Sequence, residues 1–244
     1  YTLRGQTHKI EGILNGIDVE SYNPETDKDI FKNYSAEKMI GKATNKRELQ
    51  KFFGLPEKKD TPVMGMVTRL VSHKGLDLCK AVLDELLATT DIQLVVLGSG
   101  DTEYEDFFRG LAARFPEQVG LCLGFIPDLA RKIYAGTDLF LMPSKSEPCG
   151  LSQMVALRYG SIPIVRETGG LRDSVKDSGD NEGNGFTFAN YNAHEMLHAI
   201  RRACEGYGDK KGWKILVKRA MESDNSWGKS ANEYIKMYKE ILKG

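Results

Sequence analysis

The feature that most constrains the fold is a regular alternation of short apolar runs and amphipathic stretches after residue 62. Five apolar runs have the length and composition of buried strands, at residues 63–67, 92–97, 119–125, 139–142 and 162–165. A stripe of apolar residues from Leu76 to Leu87 predicts a helix after the first strand. The helices predicted after the other four strands span residues 103–115, 128–135, 151–159 and 171–175. Five successive strand–helix units predict an α/β fold with a parallel sheet and helices on both of its faces.

The two ends of the chain differ from this repeating part. Residues 1–60 contain an apolar run at 12–18 that predicts a short strand, a turn signal at 23–27, and a helix at 36–53 stopped by Gly54 and Pro56. Residues 185–188 predict an edge strand, and helices are predicted at 193–205, 211–222 and 227–242. We therefore divide the chain into a lead-in segment packed on the main domain (1–60), the main α/β domain (61–225) and a terminal helix (226–244).

The charge balance argues against binding to nucleic acid or to membrane lipids. Lys and Arg number 34, as do Asp and Glu, so no net field attracts the chain to polyanions. No apolar run approaches the roughly 20 residues that cross a bilayer, and no charged-then-apolar leader opens the sequence, which favours a cytoplasmic protein. Four scattered cysteines show neither disulfide nor zinc spacing.

Three loops after the first three predicted strands carry groups suited to a nucleotide. Arg69 and Lys74 follow the first strand, and two cations at a strand end suit a diphosphate, although a solvated basic loop is the alternative. Gly98 opens a Gly-Ser-Gly turn after the second strand, which either contacts a ligand or serves only as a turn. Phe125 ends the third strand, where its ring could stack on a base or pack in the core.

The loops after the fourth and fifth strands carry a carboxylate and a glycine pair. Glu147 precedes a predicted helix whose first residues, Gly150, Leu151 and Ser152, offer N–H groups and a dipole that favour an anion. Thr168, Gly169 and Gly170 repeat the arrangement one strand further, and glycines allow a hydroxylated ligand to approach the backbone. Because the carboxyl ends of parallel strands share one edge, these groups are expected around a common cleft.

A second motif suggests a different chemistry. The run from His194 to His198 matches H-E-x-x-H, which binds zinc in metalloproteases when a third protein ligand is present. No histidine follows His198, and Met196, Leu197 and Ile200 give the segment the apolar face of a surface helix. The surface helix is the favoured interpretation, with no metal site predicted.

Four segments of the chain resemble the C-terminal domain of bacterial glycogen synthases and plant starch synthases, which form glycosyltransferase family 5. They are Gly12–Asp18, Thr68–Asp77, Pro143–Leu151 with its Glu-Pro-Cys-Gly-Leu string, and Thr168–Leu171, in family order and at family spacing. The resemblance covers nearly the whole chain. It implies the C-terminal, Rossmann-like half of a GT-B enzyme that transfers glucose from ADP-glucose, with retained configuration, to the non-reducing end of an α-1,4-glucan.

The resemblance also implies roles for individual residues. Arg69 and Lys74 would neutralise the donor diphosphate, and Glu147 would support the oxocarbenium-like transition state of the glucose. N–H groups at Gly150, Leu151 and Ser152 would hold phosphate, and those around Gly169 and Gly170 the sugar hydroxyls. Phe125 would stack on adenine, where relatives often carry Tyr, and Gly98 and Thr168 would line the donor site. No metal or cofactor is implied, because ADP-glucose is a substrate.

Two departures from the wider GT-B pattern qualify the resemblance. Many related transferases carry a second glutamate eight residues after the first, and here Val155 stands in that place, as expected of the narrower family. The family's N-terminal domain, with its Lys-x-Gly-Gly-Leu loop and most of the glucan surface, has no counterpart in these residues. We therefore expect the terminal helix to cross to that domain and this stretch alone to be inactive.

Two alternative functions remain open from the sequence. The first is another GT-B glycosyltransferase that uses UDP-glucose, and the second is a nucleotide-binding module without chemistry. The expected partners are ADP-glucose or ADP and an α-1,4-glucan, with no nucleic acid or membrane, and the expected compartment is the cytoplasm, or the plastid in a plant.

Overall fold

A single parallel sheet forms the centre of the molecule. In the computed structural model, residues 10–180 and 182–242 are described, and the strands within these ranges lie in the order β3-β2-β1-β4-β5-β6. The strands are β1 Val63–Val67, β2 Gln93–Gly98, β3 Val119–Leu123, β4 Leu139–Met142, β5 Ile162–Arg166 and β6 Phe186–Phe188, and all neighbours are parallel. The predicted fold class is confirmed, including the edge strand.

Helices connect successive strands and close the chain. They are α1 Ile40–Phe52, α2 Leu76–Thr89, α3 Thr102–Arg114, α4 Pro127–Gly136, α5 Ser152–Arg158, α6 Gly169–Ser174, α7 Ala193–Gly208, α8 Lys210–Met221 and α9 Trp227–Ile241. Among the residues that the structure describes, every helix is too short or too polar to span a lipid bilayer.

The side-chain alternation of the central strands explains why both faces of the sheet are covered. In β2, Leu94 and Val96 pack into the larger apolar core, whereas Val95 and Leu97 pack into a smaller one on the opposite face. Successive side chains of a strand point to opposite faces, so a strand that is apolar throughout needs a cover on each side. The smaller core is closed by α1 and α4, which contribute Leu49 and Leu129 among others.

The lead-in segment differs from its prediction in two places. Instead of a strand at residues 12–18, only Ile17 makes a bridge pairing, with Ser226, so the predicted strand is wrong. A strand needs a neighbour along its length, and Ile17 alone among these residues meets one. The helix predicted from residue 36 begins at Ile40, because Ser35 and Lys38 close a turn through reciprocal backbone hydrogen bonds of 3.2 and 3.4 Å. Residues 1–9, 181, 243 and 244 lie outside the described residues.

Buried polar contacts fasten the lead-in segment to the sheet domain. The Lys42 ammonium on α1 donates to the carbonyl oxygens of Ala135, Thr137 and Tyr159, at 3.2, 3.0 and 2.8 Å. The Tyr34 hydroxyl donates to the same Tyr159 carbonyl at 2.7 Å. Burial lowers the pKa of Lys42 to about 7. Three acceptors for three ammonium protons offset part of the cost of burying the charged form.

Candidate functional site

The strand order reverses between β1 and β4, and the loops that follow these strands open a crevice. Such a switch point at the carboxyl edge is where open α/β sheets hold ligands. The loops after β1, β2 and β3 lie on one side, and those after β4 and β5 lie on the other. The site residues predicted from the sequence belong to these loops or to the first turn of the helices that follow, except Gly98, which is the last residue of β2.

A pocket with a volume of about 340 Å³ lies on the β1–β3 side of the crevice. Its lining includes Arg69, Gly98, Phe125 and Ser152, four of the predicted residues. A Cβ atom at Gly98 would lie 2.0 Å from the Thr68 carbonyl oxygen, so only glycine fits where these two loops meet. The Phe125 ring is 89% exposed, which excludes the alternative that it belongs to the core.

Other lining groups give the pocket a fixed wall. The Arg131 guanidinium donates hydrogen bonds to the Ser21 carbonyl oxygen at 2.6 Å and to the Asp27 carboxylate at 3.0 Å. It also lies 4.6 Å from the centroid of the Tyr22 ring. Burial raises the pKa of Tyr134 to about 12, and its hydroxyl is hydrogen-bonded to Ser152. Arg69, in contrast, is exposed, and its guanidinium makes no hydrogen bond or ion pair with any residue in the described ranges.

Lys74 and Glu147 form an ion pair across the switch point. The Lys74 Nζ lies 2.6 Å from Glu147 Oε2, and the side chains are only 17% and 12% exposed. The buried hydroxyl of Ser144 donates to the same oxygen at 3.1 Å. The sequence predicted each of the two charged residues at the site, but it did not predict that they neutralise one another.

The glycine pair after β5 packs against the loop that carries Glu147. The Gly170 N–H donates to the carbonyl oxygens of Glu147 and Pro148, at 3.1 and 3.2 Å. A Cβ atom at Gly170 would lie 2.0 Å from the Cys149 carbonyl oxygen, and one at Gly169 would lie 2.2 Å from that of Glu147. The Gly170 N–H, which was expected to hold a sugar hydroxyl, thus already has two backbone acceptors in this structure.

Donors for an anion remain at the start of α5. The N–H groups of Gly150 and Leu151 make no backbone hydrogen bond within the described part of the chain. Thr168 precedes the glycine pair, is half-buried, and accepts the N–H of Leu171 at 3.1 Å. Free N–H groups ahead of a helix suit a phosphate or a sugar oxygen.

Two residues that support the Glu147 loop were missed by the sequence analysis. Arg166 at the end of β5 donates to the carbonyl oxygens of Lys145 at 2.6 Å and Ser144 at 3.4 Å. The Tyr191 ring lies 5.4 Å from the Arg166 guanidinium and 5.6 Å from the Lys145 ammonium. No sequence motif predicts these contacts, because the residues are far apart in the sequence and come together only when the chain folds.

The H-E-x-x-H segment lies on α7 as the surface helix predicted for it. His194 and His198 are exposed, and the Glu195 carboxylate accepts the N–H and the side-chain amide of Asn190 at 2.9 and 2.7 Å. Met196 and Leu197 face the core. Across residues 10–180 and 182–242, no three His, Cys, Asp or Glu side chains gather as a metal site would require.

Comparison with known proteins identifies the group to which this architecture belongs. The family model described as glycosyl transferases group 1 matches residues 47–220. The chain is 56% identical, over 98% of its length, to a glycogen synthase from Bacillus cereus (strain ATCC 10987 / NRS 248) and 53% identical to one from Desulforamulus reducens. It spans about half the length of these relatives, 51% and 50%.

Solved structures agree with this result. The catalytic domain of starch synthase IV from Arabidopsis thaliana, bound to ADP and acarbose, is 40% identical and superposes with a TM-score of 0.90 over 100% of this chain and 51% of that one. A sucrose-phosphate synthase from Thermosynechococcus elongatus, 19% identical, shares the fold with a TM-score of 0.66 over 99% of this chain and 55% of its own. The resemblance to glycogen and starch synthases is confirmed. The chain belongs to the group 1 glycosyl transferases.

Proposed function

We propose that this chain is the donor-binding part of a retaining glycogen or starch synthase, which transfers glucose from ADP-glucose to the non-reducing end of an α-1,4-glucan. The observation that carries the proposal is that Lys74 pairs with Glu147 across the switch point, and that the Gly169–Gly170 turn packs against the loop that carries Glu147. The 56% identity to a glycogen synthase supports the proposal, as does the ADP bound to the related starch synthase.

Binding of the donor diphosphate is assigned to Arg69 and Lys74. Arg69 lines the pocket and is unpaired among the described residues, so its guanidinium is available to an anion. Fixed cations stabilise the charge that builds up on the leaving diphosphate as the glycosidic bond breaks, which requires no metal ion. The N–H groups around Gly150, Leu151 and Ser152 add donors for phosphate.

The sugar and the base are assigned to opposite sides of this diphosphate. Glu147 carries its negative charge beside the glucose and stabilises an oxocarbenium-like transition state electrostatically. Thr168 and Gly169 contact the sugar hydroxyls. The exposed ring of Phe125 stacks on adenine, and Gly98 allows the nucleotide to approach the end of β2.

The acceptor glucan requires a surface beyond this part of the protein. We assign residues 1–60 to a lead-in segment, 61–225 to the donor-binding domain and 226–244 to a helix that packs on a further domain. Large apolar side chains of α9 support this assignment, since Trp227, Tyr238 and Ile241 are 52%, 57% and 66% exposed. We propose a cytoplasmic location, or the plastid if the source is a plant.

The donor preference tests the proposal against its nearest alternative. The full-length protein is incubated with a glucan primer and either ADP-glucose or UDP-glucose, and the new linkage is examined by NMR. We expect elongation by α-1,4-linked glucose with a clear preference for ADP-glucose. A preference for the uridine donor would support the alternative transferase instead.

Replacement of the carboxylate tests whether the site performs chemistry. Glu147→Ala in the full-length protein should lower kcat by at least about 100-fold, because one preorganised electrostatic contact to a transition state contributes about that much. Glu85→Ala, which removes a carboxylate paired with Arg201 at 2.7 Å on the α2–α7 surface, is the control and should leave kcat unchanged. Unchanged turnover in Glu147→Ala would favour a nucleotide-binding module without chemistry.

A further inference from the structure

The two cations assigned to the diphosphate differ in their state before any ligand binds. Arg69 is exposed and has no ion-pair partner within the described residues, whereas the Lys74 ammonium lies 2.6 Å from Glu147 Oε2. The Lys74 and Glu147 side chains are 17% and 12% exposed, so water screens their attraction only weakly. Lys74 is therefore already neutralised by the carboxylate assigned to the sugar.

The backbone on both sides holds this pair in place. The Lys145 N–H donates to the His73 carbonyl oxygen at 2.9 Å, which joins the turn containing Lys74 to the loop containing Glu147. Gly75 packs so closely that a Cβ atom there would lie 2.0 Å from the Pro143 carbonyl oxygen. An ion pair whose backbone is held in this way loses little additional side-chain entropy when it forms, so it is stronger than an ion pair between mobile surface side chains.

A diphosphate cannot use the charge of Lys74 fully while Glu147 uses it. Two anions that share one cation in a half-buried crevice repel each other, so a closer contact of Lys74 with the diphosphate weakens its contact with Glu147. The Ser144 hydroxyl, 3.1 Å from the same Glu147 oxygen, remains as a neutral donor when the ammonium turns to the phosphate. The carboxylate then keeps its place but no longer has its counter-ion.

We propose that the Lys74–Glu147 ion pair is a built-in competitor of the donor diphosphate, so that nucleotide binding transfers Lys74 to the phosphate and leaves Glu147 as an unneutralised carboxylate held by Ser144. This inference rests on the proposed function. It makes the negative charge available to a developing oxocarbenium ion only when the donor is bound. The cost is nucleotide affinity, because binding must first break a favourable pair.

Nucleotide affinity provides the test. ADP binding to the full-length protein is measured by calorimetry for the wild type, Glu147→Gln, Lys74→Met and the double variant. Glu147→Gln keeps the shape of the side chain and removes its charge, so ADP should bind about fivefold more tightly or better, as expected when a partly buried charge pair no longer has to be broken. Glu85→Gln, a matched carboxylate change in the Arg201 pair, should leave the affinity unchanged.

The double variant distinguishes competition for Lys74 from simple repulsion. In the Lys74→Met background, Glu147→Gln should give a clearly smaller gain, because there is no ion pair left to break and only the direct repulsion between Glu147 and the diphosphate is relieved. A gain of the same size in that background, or an affinity of Glu147→Gln equal to or weaker than that of the wild type, would overturn the inference. Failure of the wild type to bind ADP at all would instead overturn the proposed function and this inference with it.

Discussion

At the scale of single residues, the crevice depends as much on the absence of side chains as on charged groups. Gly98 and Gly170 both lie where a Cβ atom would come within 2.0 Å of a carbonyl oxygen on another loop. Neither contact involves a flexible side chain that could move away, since the atoms concerned belong to the backbone of Thr68 and Cys149. The loops can approach one another only because these positions lack a Cβ atom.

Gly170→Ala tests this dependence on close approach. The methyl group would force the Glu147 loop away from α6, so we expect the free energy of unfolding to fall by about 1–3 kcal/mol, as for other overpacked sites. ADP affinity should fall as well. The measurements are urea unfolding and calorimetry.

Gly110→Ala on α3 is the control, because its Cβ atom would meet only the flexible Arg114 guanidinium at 3.2 Å. This variant should be as stable as the wild type or more stable, since alanine favours a helix interior. Equal stability of Gly170→Ala and the wild type would contradict the role given to Gly170.

At the scale of elements, one carboxylate connects the chain after α6 to both β6 and α7. The Asp177 carboxylate accepts hydrogen bonds from the two Nη atoms of Arg202, at 2.9 and 2.8 Å, and from the Thr187 N–H at 2.8 Å. Partial burial acts to raise the pKa of Asp177, but hydrogen bonds from Arg202, Thr187 and Gly179 lower it to about 2. The ionised form is therefore the one that holds these elements together.

The low pKa of Asp177 predicts how stability depends on pH. The folded carboxyl has a pKa of about 2 against 3.8 for an unperturbed one, so this stabilisation is complete above about pH 5 and is lost progressively as the pH falls through about 2. Asp177→Asn should lower the free energy of unfolding by about 1–2 kcal/mol at pH 7, and the difference from the wild type should become small as the pH falls through about 2.

Urea unfolding at several pH values measures this dependence. Asp106→Asn, which breaks an exposed pair with Arg109, is the control and should change stability little at any pH. A difference between Asp177→Asn and the wild type that stays constant down to pH 2 would show that Asp177 acts through shape and not through charge.

At the scale of the whole molecule, α9 presents an apolar face that nothing in the described ranges covers. Ser230 is its only buried residue, whereas Ile235, Tyr238 and Ile241 are 49%, 57% and 66% exposed. Large apolar side chains in neighbouring turns of one helix typically mark a surface that packs on another part of a protein. This supports our proposal that residues 226–244 pack on a further domain.

Ile235→Ser combined with Tyr238→Ser tests that proposal in the full-length protein. If the face is buried there, each change should lower the free energy of unfolding by about 1–3 kcal/mol and lower Tm, measured by calorimetry. Lys236→Ser combined with Lys239→Ser changes neighbouring residues of α9 and serves as the control. Equal Tm values for the two double variants would mean that the apolar face stays in water.

The local sequence was sufficient to predict the elements and the edge where the site lies. The spacing of apolar residues predicted β1 and β4 with their observed bounds and the other strands to within two residues, because that spacing reflects which faces of each element must avoid water. Arg69, Lys74, Glu147 and the glycine pair were predicted at one edge, since parallel strands bring their carboxyl ends together.

Local sequence patterns do not predict which helices and strands become neighbours in the folded protein. The strand order, the Lys74–Glu147 pair and the occupied N–H of Gly170 all join residues that are remote in sequence, and only packing of the complete chain brings them together. The run at 12–18 failed as a strand for the same reason, because a strand exists only beside a partner. Composition and periodicity thus determined the class of fold, and the residues that follow each strand predicted the edge of the candidate site, whereas long-range packing determined how the charges there are paired.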